Sequence, residues 1–209
     1  MMSEQTDVTA QSAPCSSEAG HCRSGDTVSP SAAGHCRSGD FVSPAALGHR
    51  HPQITVILDR LRSAHNTGNI FRLAEALGAK EVICCGYTPC PPHPKLAKTA
   101  MGADSMVPSR SFPTALDAIR ALREETPGIE ILAVEPLPEA VDAWAYPYHF
   151  PVALIFGNEA LGISPEALEA ADAAVGLPMF GEKASINVGN CAAVVLYAAA
   201  AKFLADTRR

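Results

Sequence analysis

Residues 175–203 read VGLPMFGEKASINVGNCAAVVLYAAAAKF, and this stretch decides how the rest of the chain is read. It opens on a short apolar segment, 175–179, too brief for a helix and closed by the turn-forming pair Phe180-Gly181. A charged loop with Glu182 and Lys183 follows, then Ser185, Ile186, Asn187 and Val188. Beyond Gly189 the chain is almost wholly small and apolar over 191–201, which predicts a helix buried on all sides. Ser185 and Asn187 therefore fall where a strand-end loop meets the mouth of a core helix. Free backbone N–H groups at a helix start either take a side-chain cap or favour a ligand with acceptor atoms.

Upstream of this stretch the texture alternates. Strands are predicted at 54–59, 81–85, around 105–107, at 129–134 and at 152–156, the last apolar throughout and so central. Helices are predicted at 68–77, ended by Gly78, near 95–101, at 113–123 and after Ser164-Pro165. Such alternation predicts an α/β fold, a mostly parallel sheet with helices on both faces. Ligands on sheets of this kind bind beyond the carboxyl ends of the strands.

Three strand-end loops carry the polar residues. The first, after 54–59, holds Asn66 and Thr67, either of which can cap a helix, and Gly68, where the backbone can approach another surface. Arg72 lies one turn further on, as a free cation or paired with Glu75. The second loop, Gly157-Asn158-Glu159-Ala160-Leu161-Gly162, suggests backbone packed against a ligand. It is neither a dinucleotide fingerprint nor a phosphate-binding loop. The third loop is 180–189.

Together these loops carry a resemblance. Asn66-Thr67-Gly68-Asn69-Ile70-Phe71-Arg72-Leu73-Ala74 resembles the first motif, N-x-G-x-x-x-R-x-A, of the SpoU-type RNA methyltransferases of the SPOUT superfamily. Residues 156–162 resemble the second motif and 177–188 the third, in family order, over about residues 54–205. Gly189 departs from the family, which often has Ser there.

The resemblance implies a SPOUT-type fold with a C-terminal trefoil knot, a homodimer with the active site at its interface, and S-adenosyl-L-methionine as cofactor. It places cofactor contacts on Gly157, Leu177 and Ile186. It implies methyl transfer to a ribose 2′-hydroxyl of RNA, with Asn66, Arg72, Glu159, Ser185 and Asn187 in catalytic and positioning roles. Because a guanidinium is effectively always protonated, Arg72 is expected to stabilise a developing alkoxide rather than act as a base. The alternatives are an rRNA 2′-O-methyltransferase of the same family, methylation of a base, or a non-catalytic RNA-binding or assembly protein on the same fold. An oxidoreductase is disfavoured because the glycine fingerprint is missing.

Composition bounds the partners. The 209 residues carry a formal charge of −6, the wrong sign for a general electrostatic nucleic-acid binder, so RNA contact needs a local basic patch or a partner subunit. Arg60, Arg62, Lys95, Lys98 and Arg110 are the candidate rim, and the aromatic group Trp144, Tyr146, Tyr148, His149 and Phe150 either stacks a base or packs under a loop. Residues 1–50 are rich in Ser, Ala, Gly and Pro and repeat GHCRSGDTVSPSAA from Gly20 as GHCRSGDFVSPAAL from Gly34. Adjacent His-Cys pairs are not a zinc pattern, so a disordered low-complexity extension ahead of a methyltransferase domain at 51–209, with no metal, is expected. Such an extension is no RNA-binding domain, and a compact substrate, tRNA rather than rRNA, is expected. No secretion signal is visible and the longest apolar run is short of a membrane crossing. Seven cysteines without a disulfide rhythm suit a cytoplasmic setting.

Overall fold

The computed structural model describes residues 51–183 and 185–207; the expected extension at 1–50 lies outside the described residues. Seven strands form one sheet: β1 (Ile54–Asp59), β2 (Glu81–Cys85), β3 (Ser109–Phe112), β4 (Glu130–Val134), β5 (Val141–Asp142), β6 (Val152–Phe156) and β7 (Ala173–Gly176). Their order is β3-β2-β1-β6-β4-β7-β5 and every pairing is parallel. The six helices are α1 (Ala64–Leu77), α2 (Pro94–Ala100), α3 (Ala103–Met106), α4 (Ala115–Glu125), α5 (Pro165–Glu169) and α6 (Val188–Thr207).

β1, β2, β4 and β6 are buried on both faces because successive side chains feed two different cores. Ile54, Val56, Leu58, Val82, Leu132, Leu154 and Phe156 pack with α1, α2 and α6. Ile57, Ile83, Ile131, Ala153 and Ile155 pack with Ala115, Ile119 and Leu122 of α4 and Ala167 of α5. Each fully buried Val, Leu or Ile contributes about 1.5–3 kcal/mol, so these continuous apolar runs hold the sheet centre.

α1 begins earlier than predicted. Ser63, not Asn66 or Thr67, is the cap: its Oγ accepts from Asn66 N at 3.2 Å, and both expected caps are buried in the first turn. Gly78, at φ +62°, closes the helix as predicted. The surface that Gly68 admits is α2: a Cβ there would lie 2.2 Å from Thr99 Oγ1 and 2.8 Å from Ala100 N. Thr99 Oγ1 in turn donates to Ala64 O at 2.8 Å.

The strand expected around 105–107 is instead the end of α3, started by Gly102 at φ +93°. Pairing resumes at Pro108, whose carbonyl accepts from Val82 N, and β3 follows. Its residues are half-buried to exposed, so an edge strand here carries no apolar run to read. β7 stops at Gly176, short of the expected Met179, and the chain turns away.

α6 is longer than the apolar run, 20 residues, and is long and apolar enough to cross a membrane by length and composition. Its position in this fold accounts for that composition, since Ala192, Val195, Leu196 and Ala199 lie in the core against α1. It is not buried on all sides: Asn190, Tyr197 and Ala201 are exposed along one stripe.

Candidate active site

The loops that follow β1, β6 and β7 meet beyond the carboxyl ends of those strands, through a chain of side-chain hydrogen bonds. Glu159 anchors it. Its Oε2 accepts from Arg62 N at 3.1 Å, and its Oε1 accepts from Ser63 N at 3.3 Å and from Asn66 Nδ2 at 2.9 Å. Asn66 Oδ1 accepts from Asn187 Nδ2 at 3.1 Å. Asn187 Oδ1 then accepts from Gly189 N at 2.9 Å and Asn190 N at 3.3 Å, which caps α6. Burial opposes the Glu159 charge, but the Asn66 amide and the backbone N–H groups outweigh it and hold the carboxyl below its usual range.

Gly157 and Gly162 shape the second loop. Asn158 and Gly162 pair backbone to backbone, at 3.0 and 2.9 Å. A Cβ on Gly157 would lie 2.3 Å from Ile163 N, so the chain's own loop, rather than a ligand alone, requires the glycine. Asn158, which the sequence reading passed over, is buried and holds the loop from inside. Its Nδ2 donates to Arg60 O at 2.7 Å and Tyr87 Oη at 3.0 Å, while its Oδ1 accepts from Ala160 N and Leu161 N. Arg60 has φ 58°, and its guanidinium is taken by the buried Asp59 at 3.1 Å, which also accepts from Ser164 N at 2.7 Å.

Between the second and third loops lies a cavity of about 350 Å³. Gly157, Leu177 and Ile186 all line it, together with Glu159, Ser185 and Asn187. Val134, Phe156 and Met179 make its wall apolar, and Glu135, directly after β4, adds a second carboxylate. Among the described residues no Lys, Arg or His lines it. A pocket with acids and no cation does not suit the phosphates of a dinucleotide, whereas its size and apolar wall suit an adenosyl group carrying positive charge.

Arg72 is not in this cavity. It is exposed, it makes no ion pair with Glu75 or any other described residue, and it lines an open groove with Asn69, Leu73, Met101 and Met106. It is nevertheless one helical turn from Asn69, whose amide abuts Gly189. A Cβ on Gly189 would lie 2.8 Å from Asn69 Nδ2 and 3.2 Å from Asn187 Oδ1, which explains glycine at this position.

A model described as the SpoU rRNA Methylase family matches residues 53–197. The chain belongs to that family. It is 35% identical over 150 residues to a tRNA (guanosine(18)-2′-O)-methyltransferase of Thermus thermophilus, covering 72% of this chain and 75% of the relative. The Escherichia coli protein of the same name is 34% identical over 150 residues, 72% of this chain and 64% of its own length. Among solved structures, the SpoU methyltransferase AviRb of Streptomyces viridochromogenes, in complex with AdoMet, superposes with a TM-score of 0.67 at 28% identity. That match covers 74% of this chain and 59% of AviRb.

The expected positive rim is only partly present. Arg60 is neutralised by Asp59, and Arg110 by Glu81 at 2.7 Å and Glu125 at 2.7 Å near the amino end of β2. Arg62, Lys95 and Lys98 are exposed and outside those pairs. The aromatic group mostly packs. Tyr146 and Tyr148 are buried edge-to-face at 5.2 Å, their hydroxyls donating to Glu130 and to Ala143 O, and Phe150 meets Phe203 at 5.3 Å. Trp144 remains half exposed.

Proposed function

We propose that this chain is an S-adenosyl-L-methionine-dependent RNA methyltransferase that modifies a ribose 2′-hydroxyl. The observation that carries the reading is the Glu159–Asn66–Asn187 chain, which draws three loops of a SpoU-family protein around a cavity lined, among the described residues, by acids and no cation. The matched tRNA methyltransferases support tRNA as substrate; an rRNA ribose is the second reading, supported by a Streptomyces viridochromogenes relative, 29% identical over 153 residues, named as a 23S rRNA (uridine(2479)-2′-O)-methyltransferase. When bound, the cofactor supplies an electrophilic methyl group.

In this reading Leu177, Ile186 and the Gly157 backbone hold the adenosyl group, and Glu159 and Asn187 keep their loops in place. Ser185, exposed at the cavity edge, contacts the substrate, while Asn66 joins the two flanking loops. Arg72 stabilises negative charge on the attacking oxygen. Its exposure outside the cavity accords with a site completed by a second subunit. The exposed apolar groups Phe180, Leu161 and Tyr197 support a homodimer. A C-terminal trefoil knot is part of the same reading; a chain that leaves β4 for the far edge and returns to insert β6 between β1 and β4 accords with it. Residues 1–50 are read as an appended extension, and free Cys84, Cys85, Cys90 and Cys191 accord with a cytoplasmic setting.

The test is titration calorimetry with S-adenosyl-L-methionine against NAD, followed by mass-spectrometric mapping of 2′-O-methyl groups on tRNA and rRNA fragments. Binding of the sulfonium cofactor alone, with a methyl on one tRNA ribose, is the expected result. Absence of cofactor binding would remove the proposal.

A further inference from the structure

Glu135 follows β4 directly, and β4 lies between β6 and β7 in the sheet. Its side chain therefore emerges between the second and third loops, and it lines the cavity together with Gly157, Leu177 and Ile186. The carboxylate is fixed rather than free to swing. Oε1 accepts from Ile163 N at 2.6 Å, and it occupies the space a side chain at Gly162 would need, since a Cβ there would lie 2.6 Å away.

The other oxygen is uncommitted. Among the described residues Oε2 has no hydrogen-bond donor and Glu135 no ion-pair partner. Glu159, the second acid in the lining, has both oxygens occupied by its own chain. The Glu135 charge is felt within the cavity: the Cys191 thiol is pushed up to about 11, first by burial and then by this carboxylate. A half-buried carboxylate held rigid with one open acceptor is matched to a donor brought by a ligand.

We propose that Glu135 is a cofactor-anchoring residue whose Oε2 accepts a hydrogen bond from a donor on the adenosyl cofactor. The inference rests on the cavity being the cofactor site. Three groups of that cofactor offer a donor: the ribose hydroxyls, the adenine 6-amino group and the ammonium of the amino-acid tail. Neither the first nor the third loop supplies a side-chain carboxylate oxygen left open in the cavity lining, so the anchor comes from the end of β4.

The experiment is calorimetry on the full chain and on Glu135→Gln. Three ligands are compared: S-adenosyl-L-methionine, S-adenosylhomocysteine and 5′-methylthioadenosine, which lacks the tail. The amide keeps an acceptor for Ile163 N but turns an N–H group toward the cavity, so thermal stability stays near that of the parent. Affinity for the full cofactor falls roughly 10- to 100-fold, the loss expected for one hydrogen bond to a charged group. If methylthioadenosine weakens by the same factor, the donor lies on the adenosine moiety, a ribose hydroxyl or the adenine amine. If only the two ligands with tails weaken, it is the ammonium. Glu135→Asp, which keeps the charge but withdraws it by one methylene, gives a second measurement with the same expected direction. Parental affinity for all three ligands in both variants overturns the inference, whereas failure of the parent chain to bind the cofactor overturns the functional reading instead.

Discussion

Asn66 Nδ2 and Glu159 Oε1 lie 2.9 Å apart although 93 residues separate them in the chain. The bond joins the start of α1 to the loop after β6, and the other end of the Asn66 amide reaches Asn187 at 3.1 Å. One amide thus serves both neighbours, and removing it frees two loops at once. In a double-mutant cycle of Asn66→Ala and Glu159→Ala, we expect a coupling of about 1 kcal/mol in urea denaturation. The value sits below the usual range for a charged acceptor because Glu159 is exposed to water. Strict additivity of the two substitutions would show that the loops are held by something else.

The same carboxylate sets a pH limit. Its hydrogen bonds lower the folded-state value below the unfolded one, so its contribution is present above the usual Glu range and lost as pH falls through the folded value. The difference in melting temperature between the parent and Glu159→Gln should therefore be constant from neutral pH down to about 5. It should shrink below roughly pH 4. A difference that persists undiminished in strong acid would mean that the charge is not the source.

Gly157→Ala tests the second loop by overpacking. The new Cβ would press on Ile163 N at 2.3 Å and on the Gly162 carbonyl carbon at 2.4 Å, both backbone atoms that cannot swing aside. We expect a loss of roughly 1–3 kcal/mol in chemical denaturation, with weaker cofactor binding because the displaced loop walls the cavity. An unchanged midpoint would imply a loop that moves freely.

Much of this is legible in the sequence alone. β1, β2, β4 and β6 announce themselves because both faces are buried, which leaves uninterrupted apolar runs. β3 and the two-residue β5 do not, since edge strands bury too little to impose a pattern. Gly157, Leu177 and Ile186, which the motif resemblance gives as cofactor contacts, line one cavity. Spacing could not show that Ser63 caps α1 instead of Asn66, because which hydroxyl or amide faces the N–H groups depends on where Glu159 pulls the loop. Nor could it show that Asp59 and Glu81 silence Arg60 and Arg110, since those ion pairs depend on neighbouring strands and side-chain direction. Glu135 went unnoticed as the residue after an apolar run, a position that acquires meaning only when β4 is known to lie between β6 and β7.

Arg72 is the sharpest test of the chemistry. Lysine in its place keeps the charge but loses the planar fork that can contact an oxyanion and a phosphate together. Because Arg72 lies outside the cavity, Arg72→Lys should leave the affinity for S-adenosyl-L-methionine unchanged. Single-turnover methylation of an RNA transcript should fall by about 10²- to 10³-fold, the usual effect of removing one preorganised donor to developing charge. The two readouts separate the alternatives. Loss of cofactor binding together with turnover would make Arg72 part of the binding site, and intact turnover would deny it any part in the reaction. Only a slow variant that still binds its cofactor accords with a cation brought to the reacting oxygen from beyond the cavity.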